Sequence, residues 1–232
     1  MGVIKITSMS ANKLQSEIAN RSLSSIRNDV EREINQLIAS LPNPKDLSDA
    51  EARRILSRFT AVLEGNFIYW MTGALLAVKS EQAREEILEN LHEEVRDSHP
   101  RMLREFAMAA SAYPGESDAM AVHQDLTKVR LFIGRLSGVP ILTMMAFFEG
   151  YLQKLMPFLA ELAAKRGSTE RVYTDVHGVC DVAHTQGLYE ALAAEMERNA
   201  SVSDADLFEG VHLLSALMGT IIFSGGEGKS VH

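Results

Sequence analysis

The chain has 232 residues, 46% of them apolar, and a formal net charge of −8. That length supports one domain with a sizeable core, and an acidic chain without a basic run argues against nucleic acid or an anionic membrane surface as partner and for a small molecule. The low aromatic share, the abundance of Ala, Leu, Met and Glu, and only 6 Pro and 15 Gly favour helix over sheet nearly everywhere.

The opening segment MGVIKITS lacks a continuous apolar core and has Ile6 where a myristoylation motif requires Ser or Thr, so neither a secretory leader nor that lipid anchor is expected. Helical periodicity begins near Ala11 and runs to about Ser40, where Leu41-Pro42-Asn43-Pro44 stops it. Ser48-Asp49-Ala50-Glu51 is a capping box for a second helix reaching about Val78, whose segment Phe67 to Val78 has so little polar face that a central position is expected. A third helix is predicted from about Ser80 to Ala112, ending at Tyr113-Pro114-Gly115, and a fourth from about Ser117 to Leu136. Gly138-Val139-Pro140 begins a fifth that lasts to about Arg166, Ser168 and Thr169 open a sixth, and Ser203 caps a seventh to about Phe223.

These elements form one all-α domain over 1–232, a bundle of about seven helices with its core at 11–224 and a flexible tail at 225–232. The apolar stretches at Val139 to Phe148 and Val211 to Phe223 fall short of the roughly 20 residues needed to cross a bilayer. The single cysteine, Cys180, excludes an intramolecular disulfide. With no leader it points to a reducing compartment, and a cytoplasmic location is expected.

The sixth helix contains YTDVHGVCDVAH, in which His177, Asp181 and His184 stand four and three residues apart and therefore project from one helix face, extended by Leu188. Two imidazoles and a carboxylate are the donors that iron, manganese or zinc prefer, although a buried His-Asp-His hydrogen-bond cluster has the same spacing. One helix face cannot complete such a site, so partner carboxylates are sought on other buried helices. Glu149, in ILTMMAFFEGYLQKLM, shares a face with Leu142, Met145, Leu152 and Met156, so it either picks up a proton or needs a cation, a metal or the Arg of a buried salt bridge.

In the third helix the apolar stripe is Leu88, Leu91, Val95, Met102 and Phe106, bordered on opposite sides by Glu94 and His99. Residues five apart do not share a helix face, so this pair converges only through a bulge, a kink before Pro100, or a metal between them. The rival pair Glu89 and His92 has a Glu-x-x-His spacing but a glutamate on the wet face. Cys180 reads as a small buried hydrophobe that points aside, His123 and His212 as structural or solvent-facing, and Glu64 as either a proton relay or an exposed residue.

With these residues in view, the chain resembles the heme-oxygenase-like diiron oxidases and oxygenases, a superfamily that includes the TenA thiaminases, the pyrroloquinoline quinone synthase PqqC and the chlamydial CADD protein. The resemblance covers about residues 55–195 and is carried by NLHEEVRDSHPRMLREF, by Glu149 in its apolar helix and most specifically by His177-x3-Asp181-x2-His184. It implies a heme-oxygenase-like bundle and the ligand set Glu94, His99, Glu149, His177, Asp181 and His184, with Glu93 or Asp97 as substitutes in the third helix. Six donors suit two Fe(II) ions per chain, with O2 as co-substrate.

The implied reactions are N-oxygenation, oxidative carbon–carbon cleavage, desaturation or nitrile formation on a small amino-acid-like or fatty-acid-like substrate in specialised metabolism. Arg130, Tyr69 and Tyr173 are candidate substrate contacts, with Trp70 beside them, and snorkelling or core packing is the plain alternative for each. Family analogy suggests a homodimer and leaves room for an external electron donor. Two other readings stand beside this one: a cofactor-independent enzyme like TenA or PqqC, and a non-catalytic helical protein that binds a ligand and uses the His-Asp-His cluster as structure.

Overall fold

The computed structural model of the protein describes residues 21–198 and 203–223. The start expected for the first helix near Ala11, the N-terminal targeting segment and the tail at 225–232 lie outside those residues. Nine α-helices and no strand occur among the described residues: α1 Leu23–Ala39, α2 Asp49–Leu63, α3 Asn66–Ala77, α4 Glu81–Arg96, α5 His99–Ala109, α6 Glu116–Ile133, α7 Gly138–Lys165, α8 Val172–Arg198 and α9 Asp204–Phe223.

Nine replace about seven because two expected helices are each interrupted once. The second breaks at Glu64–Gly65, where Gly65 takes φ +86°, a left-handed conformation that only glycine adopts without strain. The third breaks at Asp97–Ser98: Ser98 is left-handed at φ 58°, and Pro100 fixes the first turn of α5. The anticipated starts at Ser48 and Ser203 are present. Ser48 Oγ accepts the Glu51 N–H while Glu51 accepts the Ser48 N–H, and Ser203 Oγ accepts the Asp206 N–H. The sixth expected helix starts at Val172 instead of Ser168, because Ser168 and Glu170 use their side chains in successive turns before it.

The centre of the bundle is α7, buried on every side from Gly138 to Leu152, as an all-apolar helix must be. The expectation that Phe67 to Val78 would be central is corrected: α3 buries Phe67, Trp70, Met71 and Ala74 but exposes Tyr69 and Leu76. The short connection from α7 to α8 folds the two back on each other, and α8 then forms the longest packed pair of the bundle with α7 and a second one with α4. One continuous core runs from Ile26 in α1 to Ile222 in α9.

Glu195 of α8 is wholly buried and its carboxylate accepts the backbone N–H groups of Lys79 and Ser80, both at 2.9 Å, at the start of α4. This anion at a helix N-terminus locks α4 to α8, and Gly138 leaves room for it, since a Cβ there would stand 2.8 Å from Glu195 Oε1. The fold therefore fixes α4, α7 and α8 against one another. Against expectation, one helix is long and apolar enough to cross a membrane, α9 over Ala205–Phe223. It packs on α7 and α6 through Leu207, Val211, Leu214, Leu217 and Met218, the pattern of a core helix.

Candidate metal centre

Four helices bring the donors together. On α8 the spacing of four and three places His177 and Asp181 in the core, 4% and 1% exposed, with His184 one turn further along the same face. Glu149 reaches them from α7 at 1% exposure, and Glu94 from α4 at 4%. His99, the first residue of α5, is turned back by the break at Ser98 until its Nδ1 lies 2.6 Å from Glu94 Oε1. A kink before Pro100 thus resolves the difficulty of a five-residue spacing.

Two groups of donors result. Glu94, His99 and His177 offer ligand atoms within 4.8 Å of one another, and so do Cys180, Asp181 and His184. Glu149 stands between them: its Oε1 is 3.8 Å from His184 Nδ1, and it shares a cavity wall with Glu94, His99 and His177. All six residues expected as ligands are therefore brought together. The rival Glu89 and His92 are both exposed on α4.

The histidines are oriented by their second nitrogens. His177 Nδ1 lies 2.8 Å from the Tyr173 carbonyl oxygen, which can only accept, so the proton sits on Nδ1 and the Nε2 lone pair is free. His184 Nε2 lies 2.8 Å from Glu93 Oε2, which leaves Nδ1 toward Asp181 and Glu149, buried and without a hydrogen-bond partner. A ligating histidine held by a carboxylate on its far nitrogen is a recurrent metal-site arrangement.

Charge sets up the rest. Burial raises the Glu149 carboxyl to about 7, the positive charge of His184 opposing and the negative charge of Glu94 adding to the rise. Burial, and then the charge of Glu149, lifts Asp181 well above the usual carboxylate range. Burial lowers His177 to about 4, so it is neutral near pH 7 as a ligand must be. For His99 burial pulls the same way, but the bond to Glu94 and its charge outweigh it and the imidazole is raised.

Among the described residues no Arg or Lys pairs with Glu94, Glu149 or Asp181; the ionic partners these carboxylates have are histidines, His99 for Glu94 and His184 for Glu149 and Asp181. Burial of Glu149 and Asp181 favours their protonated forms unless a cation takes the place of the proton. Asp181 Oδ2, His184 Nδ1 and Asn90 Oδ1 are buried without hydrogen-bond partners. Lone pairs converging from carboxylates and imidazoles fit iron, whose divalent and trivalent ions accept both donor types.

The other site expectations fare differently. Tyr173 lines a small cavity of about 20 Å³ beside the Glu94 group, with Leu63, Phe67, Leu103 and Leu152. Tyr69 and Arg130 do not line it: Tyr69 is exposed, and Arg130, also exposed, donates to Asn66 Oδ1 from Nε and Nη2 at 3.0 and 2.8 Å. Trp70 is packed edge-on against Phe148. Cys180 does not point aside, since its half-buried thiol donates to Asp181 Oδ1 at 3.4 Å. Glu64 accepts from Arg104 and Tyr113, and His123 and His212 are exposed.

The expected stripe on the third helix is also corrected, because Leu88 and Val95 are exposed and the buried face of α4 is Ala83, Ile87, Asn90 and Glu94. Sequence reasoning accordingly missed Asn90, whose Nδ2 donates to Glu149 Oε1 at 3.2 Å, and the orienting role of Glu93. Their one signal is helical spacing from Ile87 to Glu94, hidden by polar residues in the core positions.

A family model described as iron-containing redox enzyme matches residues 57–218, which span all six donors. No curated protein and no solved structure matches the chain.

Proposed function

The chain belongs to the iron-containing redox enzymes, and on that premise we propose that it is a non-heme diiron oxidase or oxygenase using O2 to oxidise a small organic substrate. Glu94, His99 and His177 would hold one Fe(II) and Asp181 and His184 the other, with Glu149 placed between the two groups. When bound, the iron pair supplies electrons to dioxygen beside the substrate.

The rest of the work falls to the chain. Tyr173 and Glu93 fix the two imidazoles so that their free lone pairs face the metal positions. Glu149 and Asp181 carry protons in the metal-free protein and release them on loading. Leu63, Phe67, Leu103, Leu152 and Tyr173 exclude water from the reacting side. No Arg or Lys lies in this wall, so the part of the substrate it receives is uncharged, which favours an alkyl chain or side chain over a carboxylate. A volume of about 20 Å³ holds one water, so substrate entry requires the wall to move.

The observation that carries this reading is the convergence of three buried carboxylates, Glu94, Glu149 and Asp181, with three imidazoles and no Arg or Lys among them. A cofactor-independent enzyme or a non-catalytic bundle leaves the unpartnered Asp181 Oδ2 and His184 Nδ1 without a use. The test is oxygen uptake after anaerobic loading with Fe(II), with Mössbauer detection of ferrous-to-ferric conversion. Oxidation of both irons on mixing with O2 is expected; a loaded protein that stays ferrous and consumes no oxygen would contradict the reading.

A further inference from the structure

A second opening, of about 240 Å³, lies between α4 and α8. Its wall on α4 is Glu86, Glu89, Asn90 and Glu93, which share a face by spacing, and α8 contributes His184 and Gly187. Exposure falls along this wall: Glu89 is exposed, Glu86 and Glu93 half-buried, and Asn90 buried. Gly187 leaves the space that the Glu86 carboxylate occupies, since a Cβ there would stand 2.8 Å from Glu86 Oε2. Burial raises the Glu86 carboxyl, and the charges of Glu190 and Glu89 add to the rise. No Arg or Lys lines the opening.

A row of glutamates on a helix is ordinarily a solvated face, and two further observations separate this one. Asn90, 4% exposed, donates Nδ2 to Glu149 but leaves Oδ1 without a partner. His184, whose side chain is 8% exposed, meets Glu93 with Nε2 and carries an unpartnered Nδ1 toward Asp181 and Glu149. One wall therefore leads by oxygen donors from the surface to the buried centre.

We propose that this acid-walled opening is the route by which a divalent cation enters the Asp181 and His184 side of the centre. The proposal rests on the diiron reading above. Carboxylates at the mouth concentrate cations and raise their association rate, and oxygen donors exchange one by one with the water of a hydrated Fe(II). The cavity beside the Glu94 group is lined beyond its donors by Leu63, Phe67, Leu103 and Leu152 and has no row of carboxylates leading to the surface, so metal and substrate use separate approaches.

The test uses the full-length metal-free protein and Co(II), whose ligand-field absorbance is followed anaerobically by stopped flow. Glu86→Gln with Glu89→Gln should slow Co(II) association about tenfold at low ionic strength, flatten its dependence on salt, and leave the final Co(II) per chain unchanged. Glu89→Gln alone, at an exposed position, should give a smaller slowing. Glu116→Gln with Glu161→Gln, which changes net charge equally outside the opening, should match the wild-type rate. Unchanged rates and salt dependence with full loading would overturn the route and leave the diiron reading intact. Loss of bound Co(II) at equilibrium would also overturn it, by making the glutamates ligands. A wild-type chain that takes up neither Co(II) nor Fe(II) would remove the metal centre itself, and the route with it.

Discussion

Replacing Glu149 by Gln keeps the shape of the side chain and its bond from Asn90 but removes the charge. In the metal-free protein the Glu149 carboxyl titrates at about 7 against an ordinary value of 4.5. The folded state thus holds this proton more tightly than the unfolded chain. The stability it contributes is complete below about pH 4.5 and is lost as pH rises through about 7. Relative to the protonated form, the stability lost amounts to roughly 3 kcal/mol at pH 8 and about 1 kcal/mol at pH 5.

Gln mimics the protonated form at every pH. Metal-free Glu149→Gln is therefore expected to be more stable than wild type by on the order of 3 kcal/mol at pH 8, a rise in Tm of about 6–12 °C, shrinking to about 1 kcal/mol at pH 5. Iron reverses the order, because a ligand at 100 times its Kd stabilises wild type by about 2.7 kcal/mol per site while the variant loses a ligand. Calorimetric unfolding at both pH values, with and without Fe(II), measures all four quantities. A variant no more stable than wild type at pH 8 without metal would mean that Glu149 already has a compensating partner, and the argument for a cation would fail.

The same protons should appear on loading. Titration calorimetry in two buffers of different ionisation enthalpy should find net proton release on loading at pH 6 that falls toward pH 8, from Glu149 and Asp181, raised by burial, and from His99, raised by Glu94; no release at pH 6 would contradict the protonated groups. His99→Ala should weaken iron binding by more than about 100-fold, whereas His92→Ala, on the exposed side of α4, should leave the binding isotherm unchanged, and the reverse order would reassign this helix. Glu93→Gln should lower affinity about 10- to 100-fold at one of two sites only; equal loss at both would deny it the orienting of His184. Glu195→Ala should lower stability by about 2–3 kcal/mol, seen as a fall in Tm of about 4–12 °C, with bound iron unaltered; altered stoichiometry would place Glu195 in the centre.

Legibility in the sequence divided along physical lines. The all-helical bundle and the caps at Ser48 and Ser203 were readable because periodicity and capping are local properties of the chain. The face of α8 was readable for the same reason. The extra helix boundaries were not, since the left-handed turn at Ser98 has no glycine to announce it and the one at Gly65 lies inside a continuous apolar pattern. On α4 the inward place of Glu94 was readable, but the stripe through Leu88 and Val95 was misread because Asn90, a polar residue that answers to the centre, takes a buried position. Arg130 and Tyr69 were candidate substrate contacts, yet only tertiary packing decides that Arg130 turns to Asn66 and Tyr69 faces outward.

The central claim is the proposed number of irons, two, one for each group of donors with Glu149 between them. Anaerobic titration of the metal-free chain with Fe(II), followed by removal of free metal and elemental analysis, should saturate at two irons per chain. Glu149→Ala should lower that number while retaining helical circular dichroism. Saturation at a single metal, or uptake of zinc with no iron, would contradict the account.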